Sequence, residues 1–250
     1  IHEMTDEEIT ETFADTTNIV LTGEVTNITE TIARLESLTD VKTLDLSLIT
    51  GISELKLENT TLESITLEGN QSIKKVEITG NETLTTLNLA GSKVETVDAE
   101  GCEKLTSINL EGAENLTSLN VKKTNITTLN ANDCTRLEMV DAKGCENLSE
   151  VNLEGCESLE YLDVSETAIT ELDVRDCVNL GTLYCASCDI EDLNFEGCEN
   201  LETLDCSNNG LLMLNASGLK NLRYLECRHQ RAIKPLSRLM NFIDFLFGRG

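Results

Sequence analysis

The sequence predicts a solenoid of about nine coils, each 21–22 residues long, with parallel strands stacked from coil to coil. Three observations predict it. First, one short phrase runs 18 times from Val41 to Cys227: aliphatic, two variable residues, aliphatic, one polar, apolar or small. The units begin at Val41, Ile52, Leu62 and Ile73 and continue to Leu211 and Leu222, always in steps of 10 or 11 residues. Second, positions 1 and 4 are Leu, Ile or Val in all 18 units, and position 6 is apolar or small. Alternation across positions 4, 5 and 6 is the signature of a strand. Third, position 8 is Gly in nine units (69, 80, 91, 101, 112, 144, 155, 197 and 218), which predicts a bend at positive φ after each strand. Paired units then give a coil with two extended segments and two turns.

Residues 1–40 precede the repeat and read as an N-terminal α/β cap. Thr5-Asp6-Glu7-Glu8 matches a capping box, with Ile9 and Phe13 following at helical spacing. Residues 18–26 read as a strand, and Asn27-Ile28-Thr29-Glu30 opens a second helix bearing Ile32, Leu35 and Leu38 on one face. A cap is expected because the first coil otherwise exposes its apolar end. Residues 41–227 form the solenoid. Residues 228–250 read as a C-terminal amphipathic helix that caps the last coil. Pro235 suits its first turn, and Leu236, Leu239, Met240, Ile243, Leu246 and Phe247 fall on one side.

Composition narrows function. The formal net charge is −26, which excludes nucleic acid as an expected partner and disfavours anionic membranes. Only 228–250, with five basic residues against Asp244, offers a segment for membrane contact. Aromatics make up 3% of the chain, so the core is aliphatic with Ala and Cys. No apolar run reaches transmembrane length. Eight Asn-x-Ser/Thr matches, among them Asn70 and Asn81, read as by-products of a Thr- and Asn-rich repeat rather than glycan sites.

The phrase LxxLxLxxN/CxL resembles the leucine-rich repeat. The stretch Leu201-Glu-Thr-Leu-Asp-Cys-Ser-Asn-Asn-Gly-Leu-Leu-Met-Leu-Asn-Ala-Ser217 is similar to the cysteine-containing bacterial repeats of the internalin family. The resemblance covers roughly 41–227. It implies a right-handed, β-rich superhelix of the α/β type, and a non-catalytic bacterial protein, secreted or held at the cell surface. It also implies that the units starting at 52, 73, 94, 116, 137, 159, 180, 201 and 222 form a concave parallel sheet. The expected partner is a protein of a host or neighbouring cell, or one bearing glycans, and the chain is expected to be a monomer.

All ten cysteines fall on repeat positions. Seven occupy position 9 (Cys102, Cys134, Cys145, Cys156, Cys177, Cys188 and Cys198) and three occupy position 6 (Cys185, Cys206 and Cys227). This register reads as a ladder of buried free thiols rather than a disulfide framework. The lone Cys185-x-x-Cys188 lacks a second pair or a His, so no metal or cofactor is expected.

Binding residues are sought among the outward positions of the units assigned to the concave face. Their position 5 reads Lys56, Glu77, Asp98, Asn120, Asp141, Asp163, Tyr184, Asp205 and Glu226. Like charges on adjacent strands repel, so stability alone does not explain the row. It is either a solvated acidic face or a site for a basic partner, or for Ca²⁺ at Asp141/Asp163 or Asp205/Glu226. All three tyrosines, Tyr161, Tyr184 and Tyr224, lie on this face with Met139 nearby, and Arg223 and Arg228 flank Tyr224. Exposed Tyr is a common interface anchor. On the other side an Asn row (Asn88, Asn109, Asn130, Asn152, Asn194, Asn215) reads as coil-to-coil amide bonding. Catalysis is not expected: His2 and His229 are the only histidines, and no nucleophile elbow, P-loop or HExxH is present. Two alternatives to a binding solenoid are a structural spacer and a carbohydrate-active parallel β-helix, whose coils would carry three strand phrases.

Overall fold

The computed structural model describes residues 17–24, 40–57 and 60–230. The predicted cap helices fall outside these residues, as does the segment 235–247. Among the described residues there are 18 strands and no helix.

The strands divide between two sides of a solenoid. One side is a single nine-stranded parallel sheet. Numbered in chain order, its members are β3 (Glu54–Lys56), β5 (Lys75–Glu77), β7 (Thr96–Asp98), β9 (Ser118–Asn120), β11 (Met139–Asp141), β13 (Tyr161–Asp163), β15 (Thr182–Tyr184), β17 (Thr203–Asp205) and β18 (Tyr224–Glu226). These are the units that the repeat resemblance assigns to one sheet. The other side is interrupted. A five-stranded sheet joins β1 (Asn18–Glu24), β2 (Thr43–Thr50), β4 (Ser64–Thr66), β6 (Thr86–Asn88) and β8 (Ser107–Asn109). Two pairs follow: β10 (Thr128–Asn130) with β12 (Glu150–Asn152), and β14 (Glu171–Asp173) with β16 (Asp192–Asn194). Unit 211 contributes no strand on this side. Two strand segments per coil, rather than three, set the molecule apart from a three-sided β-helix.

The register is uniform, so identical repeat positions stack. Val140 pairs with Leu119 on one side and Leu162 on the other, and Leu183 continues the column to Leu204. Positions 1, 4 and 6 point inward and form one continuous core, with Leu105, Leu116, Leu162 and Leu183 fully buried. Burial loosens at the last coil, where Leu214 and Leu219 keep 8% and 9% exposure and Met213 is 82% exposed.

The bend after each strand explains the glycines. In most coils the N–H of position 9 bonds to the C=O of position 6, as in Cys102 to Ala99 at 3.2 Å and Cys134 to Ala131 at 3.0 Å. The third residue of this four-residue turn is position 8, where a type II geometry demands positive φ. Eight of the nine predicted glycines have it; Gly218, in the strandless unit, does not. Six further units place Lys123, Asp133, Glu166, Ser187, Asn208 and His229 there, all at φ 55–61°. Position 8 also carries the ladder round the corner. Its N–H donates to the position 7 carbonyl of the next coil, as in Gly144 to Ser165 and Glu166 to Ala186, both 2.9 Å.

Candidate functional site

Position 5 has a structural task on both sides of the solenoid. In most coils its side-chain oxygen accepts the backbone N–H two residues on. Asp98 takes Glu100, Asp141 takes Lys143, Asp163 takes Ser165 and Asp205 takes Ser207, at 2.9–3.2 Å. The Asn row does the same: Asn88, Asn109, Asn130, Asn152, Asn194 and Asn215 accept from residues 90, 111, 132, 154, 196 and 217. The expected coil-to-coil amide ladder is therefore corrected. The oxygens close their own turns, and among the described residues only Asn88 of this row sends its amide to a neighbouring coil, to Glu68 at 3.1 Å. The acidic row shares this task, so stability accounts for an oxygen at position 5 and leaves its charge unexplained. Asn120 makes the same bond on the nine-stranded side, and Asp45 and Asp173 make it on the other, so the two sides differ in their proportion of Asp to Asn.

Position 9 supplies a second set of buried partners. Asn81 donates to Leu57 and Ile78 carbonyls, and Asn209 to those of Cys185 and Cys206. Cysteine does the same work with one donor: Cys102 to Ile78, Cys145 to Val121, Cys156 to Ala131 and Cys198 to Val174, at 2.9–3.1 Å. All ten cysteines are free and buried. Cys134, Cys156, Cys177 and Cys198 hold the same position in successive coils on one side, as Cys185, Cys206 and Cys227 do at position 6. Burial pushes the thiols up, to about 12 for Cys156 and Cys206 and about 11 for Cys134 and Cys227. They remain protonated donors. Asn70 and Asn81 are likewise fully buried, so those two Asn-x-Ser/Thr matches serve the core.

The residues singled out on the nine-stranded face divide into two groups. The central group converges. Met139 pairs with Tyr161 and Asp141 with Asp163 across β11 and β13. Asp163 pairs with Tyr184, and Tyr184 with Asp205. The Tyr161 and Tyr184 rings meet edge to face, centroids 5.9 Å apart at 66°. Burial, then the nearby Asp163 and Asp141, push the Tyr161 phenol up to about 12. Burial, with Asp163 alongside, also raises the Asp141 carboxyl. Asp163 is not the solvated residue that its outward register suggests: it is 7% exposed, walled in by its neighbours.

The second group lies at the end of the sheet, on and beside β18. Tyr224 is 51% exposed. Its neighbouring cations are engaged: Arg228 forks onto Glu226, with Nε at 2.7 Å, and Arg223 meets Glu202 at 3.0 Å. Arg228 holds Glu226 well below the usual carboxylate range, at about 2.

Where β13, β15 and β17 end, a hollow of about 310 Å³ opens, lined by Asp163, Tyr184 and Asp205 and by Lys143, Ser165, Glu166, Ala186 and Ser187. The last five were missed in the sequence because only outward strand positions were read. They sit at positions 7 and 8, directly after the strand, and that offset is a signal the repeat already contains. Among the described residues no group of three or more His, Cys, Asp or Glu is placed to hold a metal.

Comparison with known proteins fits this geometry. The Leucine Rich Repeat family profile matches residues 200–222. The functional domain of InlJ from Listeria monocytogenes, described as including a cysteine ladder, superposes with a TM-score of 0.50 at 20% identity, covering 89% of this chain. The fold is a leucine-rich repeat solenoid. The solenoid spans 56% of the InlJ chain's length, and its likeness to the internalins is one of fold. An internalin (inlF) of Listeria monocytogenes shares 18% identity over 89% of this chain and 88% of its own, with a TM-score of 0.27. A leucine-rich repeat protein of Leptospira interrogans shares 14% over 88% and 79%, with a TM-score of 0.37. No curated protein matches the solenoid in sequence. Among its described residues no helix is long and apolar enough to cross a membrane.

Proposed function

We propose that this leucine-rich repeat protein is a non-catalytic binding module whose nine-stranded face engages a protein ligand. One observation carries the reading. Position 5 supplies a turn-closing oxygen in most coils of both sides, yet the nine-stranded side uses Asp98, Asp141, Asp163 and Asp205 with one Asn, Asn120, where the other side uses Asn in six coils and Asp only at Asp45 and Asp173. The acidic choice adds charge that the turn does not require. All three tyrosines lie on the same side. A stiff sheet that presents pre-set side chains loses little freedom on binding. The internalin-like fold supports a bacterial, secreted or surface-held protein and a ligand on a host or neighbouring cell.

The test is a binding screen against host-cell glycoproteins and their deglycosylated forms, followed by Tyr161→Ala and Tyr184→Ala. Loss of a central anchor removes on the order of 2 kcal/mol, about a thirtyfold weakening. Unchanged affinity in both variants, with unchanged circular dichroism, removes this face from the binding site. A ligand that survives deglycosylation is recognised as protein.

A further inference from the structure

We propose that the hollow at the ends of β13, β15 and β17 receives an arginine side chain of the partner protein. This rests on the nine-stranded face being the binding face, and it names the chemistry of the contact.

Charge compensation on this face is uneven. Toward either end of the sheet three acids have their own cations: Glu77 meets Lys75 at 2.6 Å, Glu100 meets Lys122 at 3.8 Å, and Glu226 meets Arg228. In the middle, Asp163 and Asp205 have no cationic partner among the described residues. The nearest lysine on the rim, Lys143, turns to Glu166 at 3.4 Å. Asp98 and Asp141 also lack an ion pair among the described residues, and Asp163 and Asp205 are the two of the four that line the hollow.

The carboxylates are half satisfied. One oxygen of Asp163 accepts the Ser165 N–H at 2.9 Å, and its other oxygen has no donor among the described residues. One oxygen of Asp205 accepts both the N–H and the hydroxyl of Ser207, at 3.0 and 2.7 Å, and its other oxygen is likewise without a described donor. Asp163 is 7% exposed, and its second oxygen is not sealed from solvent, so it is open to a donor from outside. A forked N–H donor supplies the bond that the turn leaves unmade.

The ring between the acids selects the donor. Tyr184 stands between Asp163 and Asp205 in the strand register, and Tyr161 fixes it edge-on. Adjacent strands lie about 4.8 Å apart. A group bound at Tyr184 thus has a carboxylate on the strand to either side. A planar guanidinium stacks on an aromatic face and donates in its own plane; an ammonium does only part of this.

The test uses the full chain, ¹⁵N-labelled, titrated with the capped peptide acetyl-Gly-Gly-Arg-Gly-Gly-amide and its lysine and citrulline counterparts. The expected result is shift changes centred on the amides of Ser165, Ala186 and Ser207, with the arginine peptide at least threefold tighter than the lysine one and citrulline silent. Asp163→Asn, which keeps an acceptor for Ser165, and Tyr184→Ala should each weaken it fivefold or more. Asp98→Asn, the same charge change on β7, should alter it less than twofold. Shifts spread evenly over the acidic coils, equal lysine binding, or an equal loss in Asp98→Asn overturn the proposal. If the arginine peptide leaves the hollow untouched while Tyr184→Ala abolishes binding of a protein ligand, the face stands and the arginine contact falls.

Discussion

Two residue positions per unit carry conformational strain or its relief. Position 8 is left-handed in 14 units whatever its side chain, and an L residue there costs on the order of 1 kcal/mol. Lys123, at φ 55°, stands where Gly stands in neighbouring coils. Lys123→Gly should therefore stabilise the protein by about 1 kcal/mol, read as a higher urea midpoint. Gly101→Ala should lose a similar amount: its φ is 72°, and the nearest atom to an added Cβ lies 3.8 Å away, so conformation rather than crowding sets the cost. At position 5, Asp98→Ala strips the acceptor from the Glu100 N–H and should cost about 1 kcal/mol, while Asp98→Asn should be close to neutral. Asp141 adds a pH dependence of unusual sign. Its folded carboxyl is raised above 3.8, chiefly by burial, so ionisation opposes folding. Asp141→Asn keeps the Lys143 turn and should stabilise at neutral pH. That gain should fade as pH falls through the raised value and vanish below 3.8, in urea midpoints taken along the series.

The strand and turn elements were largely legible in the sequence, because each is written by the period. Alternation placed β3 to β18, recurring glycines located the bends, and the register of the cysteines excluded a disulfide framework. What escaped is what one chain position cannot show about its neighbours. Asp163 reads as an outward residue by register, yet the adjoining Asp141 and Tyr184 columns enclose it. The Asn row reads as a ladder between coils because amides can bond either way; the turn geometry decides for the local N–H. The hollow was hidden because it arises from three coils at positions 7 and 8, outside the strands. The thiol ladder has a direct check. Buried and pushed up, the ten thiols should resist an aromatic disulfide reagent at pH 8 in the native protein, and all ten should react in concentrated guanidinium. Rapid native labelling of Cys156 would contradict the burial described.

At the scale of the whole molecule, each coil touches only its neighbours, so stability is a sum of coil and interface contributions. Leu162→Ala in the middle of the core should cost about 2–5 kcal/mol and broaden the unfolding transition as the two halves uncouple. Leu214→Ala, at the looser last coil, should cost less and leave the main transition in place. Differential scanning calorimetry separates the two outcomes. The turn at position 5 has one more consequence. An Asp and an Asn satisfy it equally, so coil by coil the surface charge can be rewritten without disturbing the fold. The solenoid works as a keyboard: its frame is held by one set of letters, while the ligand reads another that is free to drift.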